Sequence, residues 1–402
     1  MRIRHVAPPP TAPGPATGSR LRFWGAFYAL LFLIAGTNLP TPLYHGLQQR
    51  FGFSSLTVTL LFAVYVAVLV PSLLFFGPLS DAVGRRRVLV PAVAVAALGS
   101  MVFALATDLT WLFGARLLQG VAVGAASGPL TAALNEAEPS GDRRRAALAA
   151  TLASAGGLGA GPLLAGVLAQ YGPAPYRLPF VVEIVLLVPA LVAVALLPVG
   201  RPGAAWRPRR PSIPPAMRGT FGTSAAVSFL GFTVVGLFLT LVPAYVTGLS
   251  GSDNLALSGG AVALMLCCAC GAQLLAYGKS TRVLQITGLA LLATGSVLLA
   301  AAGAVSSLPL LGAATVLGGI GQGRLYLGSI TEVNRAAPPH RSADVLSSFY
   351  VVGYFGVAVP VIGCGLLAQR TGLLHAVQLF TAVVAVLCLA ALTVLRRRAH
   401  HA

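Results

Sequence analysis

Three charged side chains stand inside long apolar runs: Arg116, Glu183 and Arg324. A lone charge in hydrocarbon costs several kcal/mol, with roughly 3 the low figure, so each needs a partner or water, and each is a candidate for function. Glu183 is the one acid of nine inside a run; Asp81, Asp108, Glu136, Glu138, Asp142, Asp253, Glu332 and Asp344 fall at run ends or between runs. A buried carboxyl can take up and release a proton, and a guanidinium can hold a carboxylate or another anion. Glu183 is about five residues and Arg116 about seven from the same end of their runs, a depth difference of about 3 Å at 1.5 Å per residue. They are expected to pair as a proton-coupling unit; the alternative is that Glu183 simply reaches the interface and its water. Arg324, with Gln322 and Tyr326 beside it, is expected to hold a polar or anionic group, or else to pair with Glu332 or a backbone carbonyl. The six histidines and nine acids form no nucleophile or metal constellation, so neither catalytic residues, a metal site nor an enzyme is expected. Cys267, Cys268, Cys270, Cys364 and Cys388 all lie within apolar runs and read as small apolar fillers.

The elements that carry these residues are set by composition. Hydrophobic residues make up 56% of the 402 and charged ones only 9%, which excludes the surface of a soluble protein. Twelve runs of spanning length can be read, the first at about 23–45 and the last at about 372–394, which uses about 240 residues at roughly 20 per span. The fold class is therefore an all-α integral membrane protein. Residues 1–22, rich in proline and arginine, read as a cytoplasmic tail, 23–198 as a first six-helix bundle and 199–219 as a Pro- and Arg-rich linker. Residues 220–395 read as a second bundle and 396–402 as a tail. A shift of 199 lays Gly157, Gly166, Ala169, Gln170 and Asn135 on Gly356, Gly365, Ala368, Gln369 and Asn334, and a shift of 201 lays Pro42 and Tyr44 on Pro243 and Tyr245. A six-plus-six parallel repeat is the build of alternating-access carriers.

The formal charge of +18 is a record of topology. Placing the amino terminus in the cytoplasm puts 22 of the 27 basic residues on that side and only Arg50, Arg177 and Arg370 on the other, which fixes both termini inside by the positive-inside rule. The basic clusters then face anionic lipid headgroups, and no nucleic-acid partner is needed. One lysine against 26 arginines fits a GC-rich bacterial genome, hence a bacterial inner membrane.

Residues 77–89, GPLSDAVGRRRVL, join the second and third runs, and Gly77, Leu79, Asp81, Gly84, Arg85 and Arg86 stand at the spacing of a known signature. Gly77 would let two helices approach and Gly84 permit a tight turn. Asp81 and the guanidinium cluster, with Glu136, would latch helix ends. Arg116, Gln119 and Gly120 form a second pattern, and Gly157, Gly161, Pro162 and Gly166 a third. Together these resemble the major facilitator superfamily, the third pattern resembling its twelve-span drug:proton antiporters, with Ala165 where that family has glycine. The resemblance implies two pseudo-symmetric six-helix halves around a central cavity, with Arg116 in proton transfer and the third motif as hinge. The cavity would be lined by Asn38, Tyr44, Gln119, Gln322, Arg324, Tyr350 and Tyr354. The second-half counterpart of the signature loop, residues 271–284, lacks the aspartate.

The expected function is proton-coupled efflux of a small organic compound by alternating access, in a monomer with no cofactor besides the proton gradient. A sugar or metabolite exporter of the same fold is the alternative, and a non-transporting sensor or scaffold the alternative of another class.

Overall fold

The computed structural model describes residues 17–198, 206, 212–338 and 341–400, and these are helical with no strand among them. Most of the expected 1–22 tail and 199–219 linker, and the end of the 396–402 tail, lie outside the described residues. The first half comprises α1 (Thr17–Asn38), α2 (Tyr44–Phe51), α3 (Ser55–Val83), α4 (Arg85–Ala104), α5 (Leu109–Ala137), α6 (Arg143–Tyr171) and α7 (Leu178–Ala195). The second comprises α8 (Arg218–Thr240), α9 (Val242–Ser250), α10 (Leu255–Leu275), α11 (Thr281–Ala304), α12 (Leu308–Ala336), α13 (Ser342–Thr371) and α14 (Leu373–His400). Among the described residues, eleven helices are long and apolar enough to cross a membrane. The twelfth span, α12, has 29 residues but carries Gln322, Arg324, Glu332, Asn334 and Arg335.

The first and seventh spans are interrupted at matching places. α1 ends at Asn38, before Pro40 and Pro42 and a short 3-10 turn at Thr41–Leu43, and α8 ends at Thr240, before Pro243 in the first turn of α9. Proline lacks the N–H that would continue the ladder, so both spans divide into a long and a short piece. Where the apolar run of span 1 was read over about 23–45, the helix starts earlier, at Thr17, and breaks at Asn38. Ser54, Asp108, Asn254 and Ser307 cap α3, α5, α10 and α12 with side-chain bonds to the orphan N–H groups of each first turn. The N-cap pattern read at Ser342 and Asp344 is displaced: α13 starts at Ser342 itself, and Arg341 occupies the cap position without a side-chain bond.

Within each half the central spans close on glycine. A Cβ on Gly120 or Gly124 of α5 would come within 2.7 or 2.5 Å of carbonyl oxygens of α3, and one on Gly319 or Gly323 of α12 within 2.4 or 2.1 Å of carbonyl oxygens of α10. These pairs are again 199 residues apart, so the two bundles use one packing device. The halves meet where α6 packs on α10 and α13 on α3.

One end of the molecule carries Arg85–Arg87 and Arg396–Arg397, and this basic end is the one the charge pattern predicts to be cytoplasmic. At the opposite end, residues 33–44 of span 1 and 233–246 of span 7 are buried without a break. Toward the basic end Phe27, Tyr28, Leu31 and Phe32, and likewise Phe229 and Phe232, are partly exposed. The described state is closed at the charge-poor end.

Candidate functional site

Arg116 is fully buried on α5. Its Nε donates to the Tyr44 hydroxyl at 2.6 Å, and its Nη1 donates to the Thr37 carbonyl at 2.7 Å and to Gln119 Oε1 at 3.0 Å. The Thr37 carbonyl is available because α1 is about to end, which leaves its last carbonyls without helical partners. Gln119 Nε2 in turn donates to the Gly36 carbonyl at 3.1 Å. Four rings surround the guanidinium, with centroids 5.4 Å (Tyr44), 5.9 Å (Phe62), 5.5 Å (Tyr65) and 5.7 Å (Phe103) from its central carbon. Aromatic faces and carbonyl dipoles thus stand in for a counter-ion. Nη2 has no partner, and neither do Asn38 Nδ2 and Thr41 Oγ1 beside the break in span 1.

Glu183 of α7 is 4% exposed and does not reach the interface. Its Oε2 accepts from Ser100 Oγ of α4 at 2.6 Å. Its Oε1 lies against Gly36, where a Cβ would overlap it at 1.6 Å. The expected Arg116–Glu183 ion pair is not formed. The two groups approach the same turn of α1 from different helices, Arg116 and Gln119 on its carbonyls and Glu183 on its glycine. Matched depth brought them to one level, but the rotation of each helix gave them different partners.

At the basic end Arg85 bonds to Asp81, and its Nη2 donates to Glu136 Oε1 at 3.1 Å. In this state the three charges join α3, α4 and α5, all within the first half. The segment expected as a loop is largely helix: α3 runs to Val83, and the turn is Gly84 alone, at φ +99°. Gly77 is not a close-approach position, since a Cβ there would meet nothing within 4 Å, and Arg86 is exposed.

The third motif divides its glycines between two partners. A Cβ on Gly157 or Gly161 would fall 2.4 or 2.2 Å from the Leu31 or Ala35 carbonyl of α1, and one on Gly166 would fall 2.5 Å from the Leu255 carbonyl of α10. Pro162 lies within the unbroken α6, its carbonyl against Gly259 of α10. Beside Gly166, Gln170 Oε1 accepts from the Leu255 N–H at 2.9 Å, and Gln369 Nε2 donates to Ser54 Oγ at 2.9 Å. These two bonds cross between the halves at the charge-poor end, and their glutamines are 199 residues apart.

Of the expected cavity residues, Asn38, Tyr44 and Gln119 are buried in the Arg116 cluster and present no free surface. Tyr350 and Tyr354 border a shallow cleft between α13 and α3 with Val70, Leu73, Leu74, Ser347 and Val351. The Tyr350 hydroxyl is 3.4 Å from that of Tyr326, whose ring stands edge-on to Phe232. Gln322 faces Gly231 of α8. Arg324, two residues further on, is turned about 200° from Gln322 at 100° per residue. Its Nε is buried without a partner, and Glu332 bonds elsewhere, so the alternative Arg324–Glu332 pairing is not formed either. Sequence reading missed Ser100, Thr37, Phe62, Tyr65 and Phe103, which carry no charge to draw notice, and it put Glu332 at a run end, whereas that residue stands inside α12.

The model of the Major Facilitator Superfamily matches residues 26–360. The chain belongs to that superfamily. Solved structures similar to this superfamily member include the peptide transporter POT in complex with sulfate, with TM-score 0.76 and 15% identity over 94% of each chain. A bacterial homologue of the human lysosomal transporter Spinster, inward-facing and unoccupied, gives TM-score 0.73 and 15% identity over 95% of this chain and 96% of that one. Among curated relatives, the triacylglyceride transporter of Mycobacteroides abscessus is 34% identical over 183 residues, 45% of this chain and 34% of that protein. The 3-(3-hydroxy-phenyl)propionate transporter of Escherichia coli strain K12 is 34% identical over 157 residues, 35% of this chain and 38% of that protein. The matched stretches thus span little more than a third of those relatives' lengths.

Proposed function

We propose that this superfamily member is a secondary active transporter that exports a small organic compound from a bacterial cytoplasm in exchange for protons, with both termini cytoplasmic. The observation that carries the reading is Glu183: a carboxyl buried among apolar spans, bonded to one serine hydroxyl, with no cation in contact, and seated on Gly36 just before the break in span 1. Gaining or losing a proton changes its charge and its fit against that turn, and the turn also anchors Arg116 and Gln119. Protonation is thereby coupled to the piece of span 1 that closes the charge-poor end. The Tyr326, Tyr350, Tyr354 and Phe232 surface supports a substrate with an aromatic or amphipathic body. Transport of an aromatic acid is the second reading, favoured by the hydroxyphenylpropionate transporter among the relatives.

The test is efflux of a compound panel from a pump-deficient host, followed by proteoliposome flux of each hit under an imposed pH gradient. Glu183→Gln is expected to keep substrate binding and exchange but to lose gradient-driven accumulation. Full proton-driven flux in that variant would overturn the assignment.

A further inference from the structure

Where α3 and α13 meet, the seam between the halves changes along its length. At the charge-poor end it is shut: a Cβ on Gly365 would fall 2.6 Å from Thr59 Oγ1 and 3.1 Å from the Leu56 Cα, and Gln369 bonds to Ser54. Toward the basic end the same two helices border the cleft that holds Tyr350 and Tyr354. α13 has 30 residues, roughly 45 Å at 1.5 Å per residue, against a hydrocarbon core of about 30 Å, so about 7 Å overhangs at each end. The cleft residues of α13, Ser347 to Tyr354, lie roughly 8–18 Å along the axis from its start at Ser342. The cleft is therefore at membrane depth, in the half of the hydrocarbon next to the basic end.

The cleft runs from the interior to the lipid. Its inner side is marked by Tyr350, whose hydroxyl is 3.4 Å from that of Tyr326 on α12. Its outer side is marked by the exposed apolar residues of the same helices: Phe355 and Val359 on α13, at 56% and 51% exposure, and Ala67 and Pro71 on α3. At 100° per residue Val351 points about 40° from Phe355 and Tyr350 about 140°; on α3 Leu74 points about 60° from Pro71 and Leu73 about 160°. Each helix thus gives the cleft one residue beside its lipid face and one turned inward. The lining is graded in the same direction, with Leu74 and Val351 on the lipid side and the hydroxyls of Tyr350 and Tyr354 further round. None of the residues that border the cleft is charged. A charged group brought there would lose water without gaining a counter-ion, whereas a hydroxyl, ester or amide finds hydrogen-bond partners.

We infer that the α3–α13 cleft is a side entrance through which a neutral amphiphile, dissolved in the adjoining leaflet, reaches the transport site. The inference rests on the reading of the chain as an exporter and names the class of its cargo and the route by which it enters. The apolar chain lies between Leu74 and Val351, and the uncharged polar head reaches the tyrosine hydroxyls. Such a compound partitions into the bilayer before it meets the protein, so an opening on the hydrocarbon samples it where it is concentrated. A carboxylate of similar size does not fit this wall, which sets the inference against transport of an aromatic acid.

The experiment is photolabelling of the purified full chain in phospholipid bilayers with a long-chain monoacylglycerol that carries a diazirine in its acyl chain, followed by mapping of the labelled peptides. Label is expected on the cleft segments of α3 and α13, saturating with probe concentration and displaced by unlabelled monoacylglycerol. A fatty acid of the same chain length and 3-phenylpropionate are expected to displace it poorly. Val351→Trp, which fills the lipid side, should cut the cleft label about tenfold, and Leu74→Trp does the same from the facing helix should the first variant fail to fold. Tyr350→Phe removes one hydroxyl and should raise the half-saturating probe concentration about fivefold, the size of one neutral hydrogen bond. Label spread evenly over the lipid-facing helices, or label in the cleft that neither tryptophan reduces, overturns the inference. Stronger displacement by either acid than by monoacylglycerol overturns it too and favours the aromatic-acid reading. Labelling needs no gradient and no flux, so the two readings fail separately: cleft label without proton-driven export sinks the transport reading, and export without cleft label sinks this one.

Discussion

At the scale of single residues, the charges inside the membrane are held by neutral groups. Arg116 is expected to be the most sensitive of them. Arg116→Ala removes the donor from the Tyr44 hydroxyl, the Thr37 carbonyl and Gln119 at once, and breaking a buried charged arrangement costs roughly 3–5 kcal/mol. Arg116→Lys keeps the charge but not the planar fork that reaches three acceptors, so its unfolding midpoint in purified protein should fall between wild type and alanine. A wild-type midpoint for Arg116→Ala would mean that the cage is not a structural anchor. Sequence placed Arg116 and Glu183 inside apolar runs and at one depth, because charge and run position are legible along a chain; that Glu183 is buried and does not reach the interface came from the fold. It did not show their partners, because the rotation of a helix about its axis is set by packing, and the groups that met Arg116 were rings and carbonyls. Glu332 was read at a run end, as an alternative partner for Arg324, because the apolar run ends near 331, whereas the helix continues to Ala336.

Among the elements, α6 shows how a motif spreads its work. Its glycines set two contact distances, one to α1 within the half and one to α10 across to the other. Gly161→Ala would place a methyl 2.2 Å from the Ala35 carbonyl, an overpacking that costs about 1–3 kcal/mol. Gly77→Ala is the matched control, since a methyl there meets nothing and the gain in helix propensity is about 1 kcal/mol. Thermal unfolding of the two variants side by side should move in opposite directions. Equal loss in both would refute the assignment of close contact to Gly161 alone. The twelve-span count and the repeat were legible because period, length and proline mark themselves in sequence. The breaks after Asn38 and Thr240 were not, since apolar character continues through them and only Pro40, Pro42 and Pro243 betray the change in backbone.

For the whole molecule, alternating access requires the charge-poor end to open. Thr59 of α3 and Gly365 of α13 meet across the halves there, with a Cβ on Gly365 only 2.6 Å from Thr59 Oγ1, which suits a disulfide between cysteines at the two positions. In a background with the five native cysteines replaced, Thr59→Cys with Gly365→Cys should lose flux on oxidation and regain it on reduction. Undiminished flux in the oxidised protein would mean that this end does not move. Which compound travels was never written in the pattern of spans, because the cleft surface is made by side chains from α3, α8, α12 and α13 together.

The crossing bonds of Gln170 and Gln369 also bear on how hard that end is to open. Each is a neutral hydrogen bond, worth about 1 kcal/mol net, so the pair biases the closed state by roughly 2 kcal/mol, a population ratio of about thirty to one. A bias of that size keeps the open form rare at rest yet within reach of the binding energy of a single proton or substrate.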